Sequence, residues 1–215
     1  MNEMHIQDTT SLKQEGSVLF IDKPLDWTSF DVVKKIRSAT HERKVGHAGT
    51  LDPQATGLLI VCIGKMTKSI DRFVGLEKEY CGSFELGIRT PSFDSETDVS
   101  ERRDWSGITA ERITALAKEF TGAQLQVPPM YSALKYGGKP LYEFARAGKV
   151  VERAEREIII SEFSVDALRL PFVDFGVVCS KGTYIRSLVD EFGQRLGCGA
   201  VLRSLRRTRI GQYNV

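Results

Sequence analysis

The chain has 215 residues, 41% of them hydrophobic and 27% charged, with a net charge of +2, enough for one domain with a sizeable core. No apolar run approaches the roughly 18 residues that cross a bilayer, and the polar opening MNEMHIQDTTSLKQEG lacks the apolar stretch of a secretory signal. Four cysteines, Cys62, Cys81, Cys179 and Cys198, stand far apart without a C-x-x-C pair. They read as core thiols in a reducing compartment, so a single compact cytoplasmic unit over 1–215 is expected.

In chain order, SVLFID reads as a strand, and Thr28 or Ser29 caps a helix through FDVVKKIRSA, whose Phe30, Val33 and Ile36 recur at near-helical spacing. The segment KKIRSATHERK carries five Lys/Arg against Glu42, and a glycine-rich stretch follows it. GLLIVCIG reads as a buried strand, and in EYCGSFELG the residues Tyr80, Gly82, Phe84 and Leu86 alternate with Cys81, Ser83 and Glu85 as in a half-buried strand. The acid-rich 91–107 reads as a loop, TAERITALAKEF as an amphipathic helix and VPPMYSALKYGGKP as a turn-rich connection. A short helix near LYEFARAG, two β-rich runs (REIIISEFSVDALRL and FVDFGVVCS) and a helix in TYIRSLVDEFGQRLG follow. The closing VLRSLRRTRIGQY holds Arg203, Arg206, Arg207 and Arg209 and no acid. Adjacent strands without intervening helices predict an α+β fold, a mixed, largely antiparallel sheet with helices packed on it. The two basic segments are either solvated surface or a face for a phosphate backbone.

The stretch GHAGTLDPQATG surrounds one carboxylate, Asp52, with three glycines and a proline. One reading is a tight turn in which Gly46 and Gly49 supply positive φ and Asp52 bonds neighbouring amides. The other is a stiffened loop that lets a bulky ligand approach and presents a single acid to it. A glycosidase-type pair of carboxylates and a metal-type cluster are both missing from the pattern, for His5, His41 and His47 lack ligand spacing.

The segment GHAGTLDPQATGLLIVCIGKMTK resembles the signature of the bacterial tRNA pseudouridine-55 synthases, the TruB family. LFIDKPLDWTSFDVV, KEYCGSFELG, VPPMYSALKYGGKPLYEFARAG and CSKGTYIRSLVDEFGQRLGCGAVLRSLRR resemble further motifs of that family, in order, from about residue 17 to residue 209. The resemblance implies isomerisation of uridine to pseudouridine in the T-arm of tRNA, without cofactor or metal, by Asp52. The acid would act at C1′ or C6, or as a base on the ribose. Tyr80 matches the tyrosine that stacks on the extruded base, and Arg186 the arginine that would hold the Asp52 carboxylate bidentately. Tyr184 and Leu205 match residues lining the uridine pocket, His47 a histidine that contacts the T-loop, and Lys23 a supporting lysine near the site. Arg206 and Arg207 are candidates for phosphate contacts.

Family members usually continue into a small RNA-binding domain of the PUA type, and this sequence stops at Val215. The expected partner is the tRNA T-arm stem-loop, with no membrane, no obligate protein partner and a monomeric state. Two rival readings stay open: a non-catalytic RNA-binding protein or RNA chaperone, and a synthase of the same fold acting on another RNA.

Overall fold

The computed structural model describes residues 16–215; the polar N-terminal stretch with His5 lies outside the described residues. The chain runs β1 (Ser17–Lys23), α1 (Ser29–Thr40), β2 (Val45–His47), β3 (Ala55–Ile63), a 3-10 turn (Gly64–Ser69), α2 (Ile70–Val74), β4 (Lys78–Leu86), β5 (Ile88–Arg89) and β6 (Glu101–Arg102). Then come α3 (Ala110–Glu119), β7 (Gly122–Gln126), β8 (Lys135–Tyr136), β9 (Lys139–Pro140) and α4 (Leu141–Arg146). It closes with β10 (Arg156–Arg169), β11 (Phe172–Cys179), α5 (Ile185–Leu196), β12 (Ala200–Ile210) and β13 (Tyr213–Asn214). The strands form a mixed, largely antiparallel sheet of the α+β kind expected. Two compact units emerge, one running to Lys78 and including Arg206–Val215, the other Glu79–Leu205.

In the first unit β3 pairs antiparallel with β1, Leu19 opposite Val61, and with β2, His47 also opposite Val61. One face of β3, Leu59, Val61 and Ile63, packs on Val32, Val33 and Ile36 of α1. The other, Leu58 and Ile60, packs with Ala48 and Ile210 against Ile70, Phe73 and Val74 of the α2 segment. Burial on both faces is why this strand reads as an unbroken apolar run. Helix α1 is capped by Thr28: its hydroxyl accepts the Asp31 amide at 3.0 Å, and the Asp31 carboxylate accepts the Thr28 amide at 3.0 Å, a reciprocal box. Phe30 departs from expectation. It is 51% exposed, in the first turn, under the cations of Lys34 and Arg37 rather than on the buried stripe.

In the second unit β4, β11, β10 and β7 follow one another across the sheet, with the beginning of β12 beside β4. Helices α3 and α5 bring Phe120 and Phe192 onto it. Phe192 lies 5.4 Å from Phe84, 5.3 Å from Phe120 and 5.5 Å from Phe163, and Phe84 and Phe163 both reach Phe175. Tilted and edge-on rings at these separations are favourable beyond simple burial. Tyr80 shares the buried side of β4 with Phe84 and Leu86, as the alternation predicts. Cys62, Cys179 and Cys198 are buried but Cys81 is exposed, because it sits on the opposite side of β4. The acid-rich 91–107 is not all loop: Glu101–Arg102 pairs with Ile88–Arg89. Among the described residues no helix is long and apolar enough to cross a membrane.

Candidate active site

The Asp52 loop joins β2 to β3 and is held by hydrogen bonds to the peptide groups of Ala48, Gly49, Leu51, Asp52 and Pro53. Ala48 N donates to Ile60 O at 2.8 Å, and Gly49 turns at φ +93. The buried Ser29 hydroxyl, at the start of α1, accepts the Leu51 amide at 2.9 Å and donates to the Leu51 carbonyl at 3.1 Å. Ala55 N closes a turn on Asp52 O at 3.0 Å, and Asp26 N reaches Pro53 O at 2.9 Å. Asp52 itself is half-buried. Gly46 does not have the positive φ expected of it: it stays in strand geometry in β2, and a Cβ there would meet Ile70 at 2.8 Å. The second positive φ belongs instead to Gly57, at +98.

Lys23 is fully buried beneath this loop. Its ammonium donates to the carbonyls of Trp27 at 2.6 Å, Pro24 at 2.9 Å and Pro53 at 3.3 Å. Burial pushes its pKa down to about 8, while the negative charges of Asp52 and Asp26 pull it up and Arg207 adds to the drop. His47, half-buried, also has its pKa lowered, first by burial and then by the Arg207 charge. Lys23, His47, Asp52 and Arg207 thus belong to one neighbourhood of the first unit.

Arg207 is not placed to contact phosphate. It is 1% exposed, with Nε donating to Leu58 O at 2.8 Å and Nη2 to Gly49 O at 3.1 Å. Arg206 points the other way, bidentate on the exposed Asp22 at 2.9 and 2.7 Å. Arg203 and Arg209 bond Glu85 and Glu77, so the acid-free C-terminal run finds acids elsewhere in the chain.

In the second unit Tyr80 is 8% exposed and Arg186 only 4%. The Arg186 guanidinium donates to Tyr131 O at 2.8 Å and Ser92 O at 3.1 Å, with Asp94 at 3.5 Å from Nε. Tyr184 caps α5 without a side-chain cap bond; the Gln126 amide holds its backbone instead, accepting from Tyr184 N at 2.8 Å and donating to Tyr184 O at 3.1 Å. Leu205 is half-buried in β12. Asp94 and Gln126 were not singled out in the sequence. Asp94 was legible only as one acid in a charged loop, although a buried arginine calls for such a partner.

The family model described as "TruB family pseudouridylate synthase (N terminal domain)" matches residues 37–185. The chain belongs to the TruB family of pseudouridylate synthases. It is 47% identical to the tRNA pseudouridine synthase B of Chloroherpeton thalassium, over 94% of this chain and 86% of that protein. With the tRNA pseudouridine synthase B of Flavobacterium johnsoniae it shares 48% identity, over 94% of this chain and 91% of the other. Among solved structures it resembles a chain of a Cbf5-Nop10-Gar1 complex, with TM-score 0.74 and 30% identity over 97% of this chain. It spans about half of that chain, 52%. A chain of an H/ACA RNP bound to a substrate RNA containing 2′-deoxyuridine gives TM-score 0.71 at 27% identity, covering 97% of this chain and 51% of that one. The TruB relationship makes the chain a pseudouridine synthase.

Proposed function

We propose that this TruB-family enzyme converts the uridine at position 55, in the T-arm of tRNA, to pseudouridine, with Asp52 as its catalytic group. The relatives named tRNA pseudouridine synthase B support tRNA as the substrate, and the match of motifs supports the T-arm. The observation that carries the assignment of Asp52 is the loop itself: Leu51 is hooked through both its amide and carbonyl to Ser29, and Pro53 O is held by Lys23 and Asp26. A carboxylate between two pinned neighbours is presented with little freedom, which is what an oriented nucleophile or base requires.

The isomerisation breaks the N1–C1′ bond and forms C5–C1′; the C5 proton is lost and N1 gains one, so the overall change needs no redox partner. Asp52 acts at C1′, at C6 or on a ribose proton. Tyr80 supplies the flat surface for the extruded base, since a base taken from its stack needs a replacement face. Tyr184 and Leu205 line the uridine pocket, His47 meets the T-loop, Lys23 supports the loop from below and Arg186 fixes charge for the reaction. Arg206 remains a phosphate-contact candidate, because its exposed pair with Asp22 is one that a phosphate can displace.

Tritium release from C5-labelled uridine, measured on a T-arm hairpin, on other uridine-containing hairpins and on ribosomal RNA fragments, tests the substrate. Release confined to the T-arm hairpin is expected. Preferential release from ribosomal fragments would overturn the substrate, and binding without release from any RNA would leave an RNA-binding protein or chaperone.

A further inference from the structure

We propose that Arg207 is a positioning residue for the Asp52 loop, holding both ends of it from behind while making no contact with RNA. The inference rests on the reading of Asp52 as the catalytic group.

Arg207 and Lys23 are the largest fully buried side chains among the described residues. A buried guanidinium usually sits against a carboxylate, since an isolated buried charge is costly. Arg207 has no carboxylate partner among the described residues. Its side-chain hydrogen bonds go to two main-chain carbonyls, Gly49 O on the entry side of Asp52 and Leu58 O on the exit side. One rigid planar group therefore ties the loop's two ends to a single strand, β12.

The backbone reinforces the same link. An ideal Cβ on Gly57 would lie 2.2 Å from Arg207 O, so β3 and β12 approach here more closely than any side chain allows. The base of the arginine is fixed against the loop's exit, and its fork reaches back to the loop's entry. Donors on different nitrogens of one plane fix direction as well as distance. A lysine in this place keeps the charge but replaces the fork with a point donor on a flexible stem, and cannot reproduce both bonds in one geometry.

The consequence is kinetic. A carboxylate displaced by a fraction of an ångström still binds RNA through the surrounding surface but loses alignment with the reacting carbon. Arg207→Lys is read in four ways: single-turnover tritium release from a saturating T-arm hairpin, hairpin affinity, the salt dependence of that affinity, and amide hydrogen exchange over residues 48–58. We expect the saturated rate to fall by at least about tenfold, the affinity to stay within about threefold and its salt slope unchanged, and exchange to quicken in the loop alone. A wild-type rate at saturation overturns the proposal. Weaker binding with a shallower salt slope overturns it as well, because that is the behaviour of a phosphate contact.

Should Arg207→Lys fail to fold, Arg207→Gln, an uncharged amide, is read by the same four measurements. Failure of both variants to fold makes Arg207 a residue of the fold and overturns a role specific to the loop. Asp52→Asn is run alongside: activity in that variant removes the catalytic reading, whereas wild-type rates in Arg207→Lys beside an inactive Asp52→Asn remove only the inference about Arg207.

Discussion

Burial and the nearby Arg207 charge both oppose protonation of His47 in the folded protein and lower its pKa. The unfolded chain takes up that proton near the ordinary histidine value of about 6.5. Between the two pKa values the unfolded state binds more protons, so stability falls as pH drops through and below 6.5 and the contribution is intact above it. Urea unfolding at pH 7.5 and pH 5.5 is expected to show a smaller loss on acidification for His47→Gln than for the wild type; an equal loss in both would refute the assignment of this proton to His47. Tyr80 carries a different expectation. In an Asp52→Asn background, where nothing turns over, Tyr80→Phe should hold the hairpin as the parent does, because stacking needs only the ring. Tyr80→Leu should bind more weakly by about 1–3 kcal/mol. Equal affinities for Phe and Leu at position 80 would show that the ring does not stack on a base.

At the scale of elements, the close approach of β3 to β12 and the aromatic centre on α5 are the two most sensitive joints. Gly57 combines φ +98 with a Cβ position 2.2 Å from Arg207 O, so Gly57→Ala is expected to cost on the order of 1–3 kcal/mol or more of stability, read as a lowered urea midpoint with the slope unchanged. Phe192, which meets Phe84, Phe120 and Phe163, should cost about 3–5 kcal/mol when cut to Ala, and an unchanged midpoint would show that α5 does not anchor the second unit. Elements with a clean period were legible in the sequence: the apolar run of β3, the alternation through Tyr80 and Phe84, and the stripes of α3 and α5. Strand β12 was not, since its arginines are scattered without period among apolar and polar residues and a buried arginine such as Arg207 imitates a surface position. Partners that meet only after folding were equally hidden. Gln126 clamps Tyr184 across 58 positions of chain, and Asp94 meets Arg186 from inside a loop that reads as ordinary acidic surface.

For the molecule as a whole, the sequence motifs and the family relationship converge on pseudouridine formation, and in the proposed function Asp52 is the residue on which it turns. Asp52 is named through the resemblance of its stretch to the TruB signature, since its glycines and proline alone fit a tight turn equally well; the fold adds Ser29 and shows Lys23 and Arg207 as groups that hold its loop. Loss of charge at Asp52 should stop isomerisation while the RNA-binding surface stays as it was. The most direct measurement is tritium release from C5-labelled tRNA by Asp52→Asn under single-turnover conditions, with affinity measured on the same preparation. No release above that of a no-enzyme control is expected, with affinity within about 1.4 kcal/mol of the wild type, a tenfold change. Release that persists in proportion to the concentration of the variant, free of wild-type enzyme, would contradict it.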